Sequence, residues 1–350
     1  MSTMLTARSS GGEGRAEFYS RLRSRSLAPL WEVLSSLVTP VPRTPAQAVK
    51  WSFSAIRPLL LEAGELITAA EAERRVLILE NPALPGESRI TSTLYAGLQL
   101  ILPGEIAPAH RHTQNALRFI MDGDGAFTAL DGERTYMHKY DLVLTPGGRW
   151  HDHGNESDGP MIWLDGLDIP LVRVLDASFA EHRDDRGACP TTRPPGDATW
   201  RWGRNLRPSR HADSTPGNPL FSYPFADWRT TLQTLRASED PHPHDAYLME
   251  FANPLDGGPV LTTISAFARL TPAGFATRPM RSSDGTVHVI VEGSGWIEIE
   301  DIRFELAEGD IIVVPSWAKR RLHADQDLVI FSYSDRATQR KLSLWRESLL

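Results

Sequence analysis

The chain punctuates itself twice in the same way, and that repetition limits what it can fold into. Gly104, five residues, two positions at 110 and 112, then Gly123 is answered by Gly274, five residues, Met280 and Ser282, then Gly293. Gly123-Asp124-Gly125 returns as Gly293-Ser294-Gly295. Asp141-Leu142-Val143-Leu144-Thr145-Pro146 returns as Asp310-Ile311-Ile312-Val313-Val314-Pro315. Short runs of strand formers between glycine and proline turns read as β-structure, and Asp131-Gly132 is a strong hairpin signal. A unit repeated in this way predicts two copies of one β-fold.

The copies differ in their histidines. The first holds His110-Arg111-His112, and Pro146-Gly147-Gly148 is followed after two residues by His151 and three later by Asn155. Residues two apart on a strand share a face, so His110 and His112 project together, and the turn at 146–148 brings His151 round to them. This frame is identified as the two-part cupin motif, which implies a metal inside a small double-stranded β-helix, or jelly-roll. Imidazole suits Fe, Zn, Cu and Ni, and three protein ligands leave coordination positions open. Many cupins add a glutamate just after the second histidine; Ala116 and Leu117 stand there, so the site reads as three histidines with no carboxylate. In the second copy the slots hold Met280, Ser282 and Arg320, which make no plausible iron site. The fold expected is mainly β, a bicupin with an N-terminal helical arm.

The 350 residues are enough for two ordinary domains. Residues 1–88 read as the arm. A helical pattern at 15–38 runs through Phe18, Leu22, Leu30, Trp31, Leu34 and Leu37 and breaks at Pro29; a short helix follows at 54–61 and a strand-like run at 75–79. Residues 89–172 read as the metal-binding barrel, and 173–245 as a connector with a helix at 225–235 and loop clusters around Asp184-Asp185-Arg186 and Ser214-Thr215-Pro216. Residues 246–336 read as the metal-free barrel and 337–350 as a terminal helix. Residues 1–14 lack the apolar core of a secretory leader and are expected to fray. A net charge of −7 without a basic block argues against nucleic acid, and no apolar run reaches membrane-spanning length. The single cysteine, Cys189, excludes an internal disulfide and fits a reducing cytoplasm.

Several stretches carry a wider likeness: Glu73-Arg74-Arg75-Val76-Leu77, Tyr95-Ala96-Gly97-Leu98-Gln99, the run from Pro108 through His112 and Asn115 to Phe119, and Trp163-Leu164-Asp165-Gly166-Leu167-Asp168-Ile169-Pro170. In these the chain resembles the gentisate and salicylate 1,2-dioxygenases, bicupin enzymes that cleave an aromatic ring, and, within them, relatives acting on 5-nitrosalicylate. The resemblance implies Fe(II) on three histidines, a small aromatic 2-hydroxy acid and O2 as partners, and a cytoplasmic homotetramer. The substrate it implies is a 5-substituted salicylate, gentisate or 5-nitrosalicylate, with salicylate and 1-hydroxy-2-naphthoate as alternatives. One departure is Tyr140, where the family's motif has glycine; at a tight turn it is expected to shift the rim of the site.

Around the metal, Arg118 has the parity of His110 and His112 and should point inward, where a buried arginine needs an anion: the substrate carboxylate, or an acid in the barrel wall. His153 shares the face of His151 and is a candidate for proton transfer. Gln99 could donate to substrate or oxygen, and Asp165 could orient a histidine. Arg74, Tyr95 and Asn115 are candidates for the pocket lining. His138, His182, His242 and His244 read as surface residues. Two other readings stay open, a cupin isomerase or different metal oxygenase and a non-catalytic storage or sensing bicupin.

Overall fold

A strand that is apolar on both faces must be covered on both. Ala116–Asp122 is such a strand, buried at every position but its last. In the computed structural model, which describes residues 11–183, 187–210 and 217–350, it lies between Leu142–Thr145 and Met161–Leu167 in a six-stranded antiparallel sheet. Alternation decides what each face meets. Leu117 and Phe119 enter a core shared with the second half of the chain, while Ile120 joins Trp163, Val143 and Met137 inside the first barrel. A five-stranded sheet closes that barrel. It contains Ile106–His112, His151–Asn155, Ala126–Leu130 and Glu133–Met137, with Ala180–His182 at its edge. The turn at Asp131-Gly132 has positive φ at both residues, as a two-residue hairpin requires.

The second half repeats the plan. Thr286–Glu292 and Leu328–Ser334 are central in a six-stranded sheet, and Gly295–Ile299, Arg320–Ala324 and Met280–Ser282 lie in its five-stranded partner. The protein is therefore a mainly β bicupin. The two six-stranded sheets back onto each other: Phe119 stacks on Phe331 with ring centroids 4.0 Å apart and planes 5° from parallel. Gly166 is needed at this seam, because a Cβ there would sit 2.8 Å from the Tyr333 ring.

Several expectations are corrected. The arm does not simply lead into the first barrel: Val49–Trp51 pairs with residues 311–313 of the second barrel, whereas Arg75–Ile78 joins the first. The helix expected at 54–61 spans Phe53–Leu66, and that at 225–235 spans Phe225–Ser238. The terminal helix covers only Arg336–Lys341; Glu347–Leu349 is instead a strand paired with Met280–Ser282. Residues 11–43 form a unit of their own, helices Gly11–Arg23 and Leu30–Leu37 with Pro29 at the start of the second. Of the expected frayed stretch, residues 1–10 lie outside the described residues and 11–14 begin the helix. The clusters at 184–186 and 214–216 also lie outside them. No described helix is long and apolar enough to cross a membrane.

Candidate active site

The strand Ile106–His112 carries His110 and His112, and the first residue of His151–Asn155 pairs directly with His110. The ring centroids are 5.5 Å apart for His110 and His112, 4.1 Å for His110 and His151, and 5.0 Å for His112 and His151. One ligand nitrogen of each lies within 4.8 Å of the other two, and no carboxylate among the described residues joins them. Each Nδ1 faces a backbone carbonyl: Pro108 at 3.0 Å, Gln114 at 2.9 Å and Arg149 at 2.9 Å. A carbonyl only accepts, so each Nδ1 carries the proton and each Nε2 keeps its lone pair. Burial, with Arg74 beside it, pushes His110 down to about 3, and burial with Arg118 pushes His112 down to about 4. Burial drives His151 well below its ordinary value too. All three are neutral at physiological pH, the form that ligates a metal. His151 Nε2 is buried with no partner among the described residues. A buried, convergent, unprotonated nitrogen set of this kind fits a metal ion.

His153 is fully buried, its ring 5.4 Å from that of His151 and edge-on to Trp163 at 5.9 Å. The Thr128 hydroxyl and His153 Nδ1 share a hydrogen bond at 3.0 Å, and the hydroxyl also lies 3.5 Å from the Met137 sulfur. His153 Nε2 is buried and has no partner among the described residues. Arg118 points inward as its parity required, with 3 % of its surface exposed. The anion beside it is Asp165, directly across the sheet: Nε lies 3.2 Å from Oδ1. Asp165 is held in turn by Trp163 Nε1 at 3.1 Å, and Arg118 Nη1 donates to Thr145. So Asp165 orients an arginine rather than a histidine. Arg118 Nη2 makes no hydrogen bond among the described residues. Gln99 is buried on the neighbouring strand and its amide is likewise unbonded.

Arg74 reaches the site from the segment before Arg75–Ile78 and donates to His110 Nε2, a lone pair that a bound metal would take from it. Tyr95 stands in the electrostatic field of Arg74 and Asp165; burial, then Asp165, raises its hydroxyl. Asn115 is not with them. Its amide donates to Asp168 at 3.3 Å and Thr263 at 3.0 Å and accepts from Gly147 N–H at 3.1 Å, tying the turns together. His182, read from sequence as a surface residue, is exposed, but it pairs with His110 across the sheet edge and stands at the mouth with its ring 6.3 Å away. No periodic signal placed residues 180–182 on this sheet. Arg74, Glu73, Ile106, Pro108 and His182 line a cleft of about 350 Å3, enough for a small aromatic acid.

Residues 97–167, which hold this site, match the family model described as "Cupin domain". Over 334 residues the chain is 50% identical to a gentisate 1,2-dioxygenase of Aquipseudomonas alcaligenes, covering 95% of this chain and 96% of that one. The chain belongs to the gentisate and salicylate 1,2-dioxygenase family. This dioxygenase is also 35% identical to the 5-aminosalicylate 1,2-dioxygenase of a Comamonas species, over 92% of its own length and 87% of the relative's. Its backbone superposes on the salicylate 1,2-dioxygenase of Pseudoaminobacter salicylatoxidans bound to gentisate with a TM-score of 0.90 at 32% identity, covering 99% and 97% of the two chains. The dioxygenase is thus an aromatic ring-cleaving enzyme whose histidine triad suits a metal.

Proposed function

We propose that this chain is an Fe(II)-dependent gentisate 1,2-dioxygenase, which opens the C1–C2 bond of a salicylate bearing a 5-hydroxyl and adds both atoms of dioxygen. The carrying observation is the set of three neutral imidazoles gathered with no carboxylate, beside a buried arginine with an unbonded Nη2. Held by His110, His112 and His151, Fe(II) would supply the path for electrons from ring to dioxygen. The rest falls to the chain. Arg118, fixed by Asp165 and Thr145, presents Nη2 to the substrate carboxylate, and Arg74 adds a second cation at the entrance. His153 Nε2 takes the proton of the 2-hydroxyl, with its Nδ1 anchored on Thr128. The Gln99 amide donates to an oxygen of the substrate, and Tyr95 lines the wall. Trp163 and Ile120 keep water from the interior.

The 50% identical relative supports gentisate; 5-nitrosalicylate is the second candidate, its ring poorer in electrons. A homotetramer goes with this reading, as the family resemblance implies, and a cytoplasmic setting fits the single cysteine, Cys189. The test is oxygen uptake by Fe(II)-loaded protein offered gentisate, 5-nitrosalicylate, salicylate and 1-hydroxy-2-naphthoate in parallel. Uptake with gentisate is expected, and His151→Ala should lose both bound iron and activity. Uptake with 5-nitrosalicylate alone would move the assignment to that ring, and no uptake by iron-containing protein would end the ring-cleavage reading.

A further inference from the structure

The second barrel has not merely lost its histidines. Register equates its interior with the first, position by position. Arg320 pairs with Met280 as His151 pairs with His110. His288 pairs with Ser332 as Arg118 pairs with Asp165. Arg269 pairs with Ile330 as Gln99 pairs with Trp163. Three of these slots now hold Arg320, Arg269 and His288, exposed by only 8 %, 9 % and 5 %. His244, read from sequence as a surface residue, is buried beside them. Together they line one cavity whose remaining wall includes Ile290, Ile297, Ile312 and Ile330.

Among the described residues, none of the carboxylates around this cavity contacts Arg320. Asp245 contacts Arg269 at 3.3 Å and Asp284 contacts Arg336 at 3.3 Å. Asp335 receives its hydrogen bonds from Thr93, Gly285 and Gln339. Arg320 makes no ion pair or side-chain hydrogen bond among the described residues, although it stands in the repelling fields of Arg269 and Arg336. Asp284 and Asp245 attract it only from beyond contact distance. A buried guanidinium in an apolar wall needs a counter-charge. Three arginines line the cavity; Arg321 is ion-paired to Glu298 at 2.8 Å, and Arg269 and Arg320 together repel a cation and attract an anion. The space is about 10 Å3 measured to the centre of a water-sized particle, the lower bound for holding one such particle, so it takes no aromatic acid and a monatomic anion enters with a small outward shift of the guanidiniums.

We propose that the interior of the second barrel is a binding site for one small monovalent inorganic anion of chloride size, held by Arg320 and Arg269. The duplication has thus turned a metal-binding interior into an anion-binding one. The anion gives Arg320 the contacting counter-charge it lacks and stabilises the second barrel.

The experiment compares the full-length enzyme in sodium chloride and sodium gluconate at equal ionic strength, and measures long-wavelength anomalous scattering from crystals grown in chloride. Chloride should raise Tm saturably, by about 3–4 °C at a hundredfold excess over its Kd. An anomalous peak should lie between the Arg320 and Arg269 guanidiniums. Arg320→Met should abolish both, with oxygen uptake per bound iron unchanged. Equal Tm in the two salts, with no peak in the second barrel, overturns the proposal. That comparison uses the unaltered chain, so it decides even if Arg320→Met does not fold.

Discussion

At the scale of single residues, the site is organised by what each buried polar atom is bonded to. Parity along a strand was enough to turn Arg118 and His153 inward and to gather His110, His112 and His151. It could not say which anion Arg118 would meet, because Asp165 lies across a strand pairing that only the folded sheet defines. Nor could it find that Asn115 is fully bonded to Asp168, Thr263 and Gly147, since those partners come from three separate turns. The Arg118–Asp165 pair yields a prediction. Asp165→Asn leaves a buried guanidinium without its counter-charge, which costs about 3–5 kcal/mol and frees Arg118 to move. Iron content should stay at one per chain, Tm should fall, and KM for gentisate should rise at least about tenfold, the equivalent of roughly 1.4 kcal/mol. Wild-type KM and Tm in this variant would show that the pair holds nothing in place.

Individual elements show where sequence and structure part. Tyr140, expected to disturb the rim of the site, lies instead on the far side of the barrel wall. Its φ of +70° is the strained conformation that glycine would adopt freely, yet its ring stacks with Phe119 at 5.9 Å and meets Phe225 edge-on at 5.4 Å. Its hydroxyl donates to Glu308 of the second half. Relief of the backbone strain is worth about 1–2 kcal/mol, and loss of a buried aromatic ring costs about 3–5 kcal/mol. Tyr140→Gly should therefore lower stability by about 2 kcal/mol in denaturant unfolding while leaving kcat unchanged; a more stable variant would mean that the ring contributes nothing. The same limit explains the other misread elements. Turns, the hairpin at Asp131-Gly132 and the duplicated strands are local patterns and were legible. Val49–Trp51, Ala180–His182 and Glu347–Leu349 are short edge strands with no period of their own, made strands by the edges they reach.

For the molecule as a whole, two consequences follow from packing two barrels back to back. The first concerns acid. His288 is buried between Ser332, which bonds its Nδ1, and the fields of Arg269 and Arg320, with Asp284 opposing them. Burial first, then those arginines, holds it well below the ordinary histidine value, and His153 is depressed in the same way in the first barrel. A histidine depressed in the folded state binds its proton more tightly when unfolded. Its contribution is thus complete above about pH 6.5 and is lost as the pH falls from there toward the folded value. Stability should decline below pH 6.5 with a slope of at most about 1.4 kcal/mol per pH unit for each such histidine. His288→Gln should flatten the decline, and an unchanged slope would remove His288 from the account. The second consequence concerns cooperativity. Phe331 of one barrel lies flat on Phe119 of the other and also contacts Phe251 at 6.1 Å, in a core drawn from both halves. Phe331→Ala opens a cavity at the centre of that core, a loss of about 3–5 kcal/mol. The damage sits in the barrel without histidine ligands, yet the sheet it undermines is the one that carries Arg118 and Asp165 on its other face. Unfolding should therefore remain a single transition at lower denaturant, with iron release and loss of second-barrel fluorescence at the same midpoint. Two separated midpoints would show that the catalytic barrel stands without its partner.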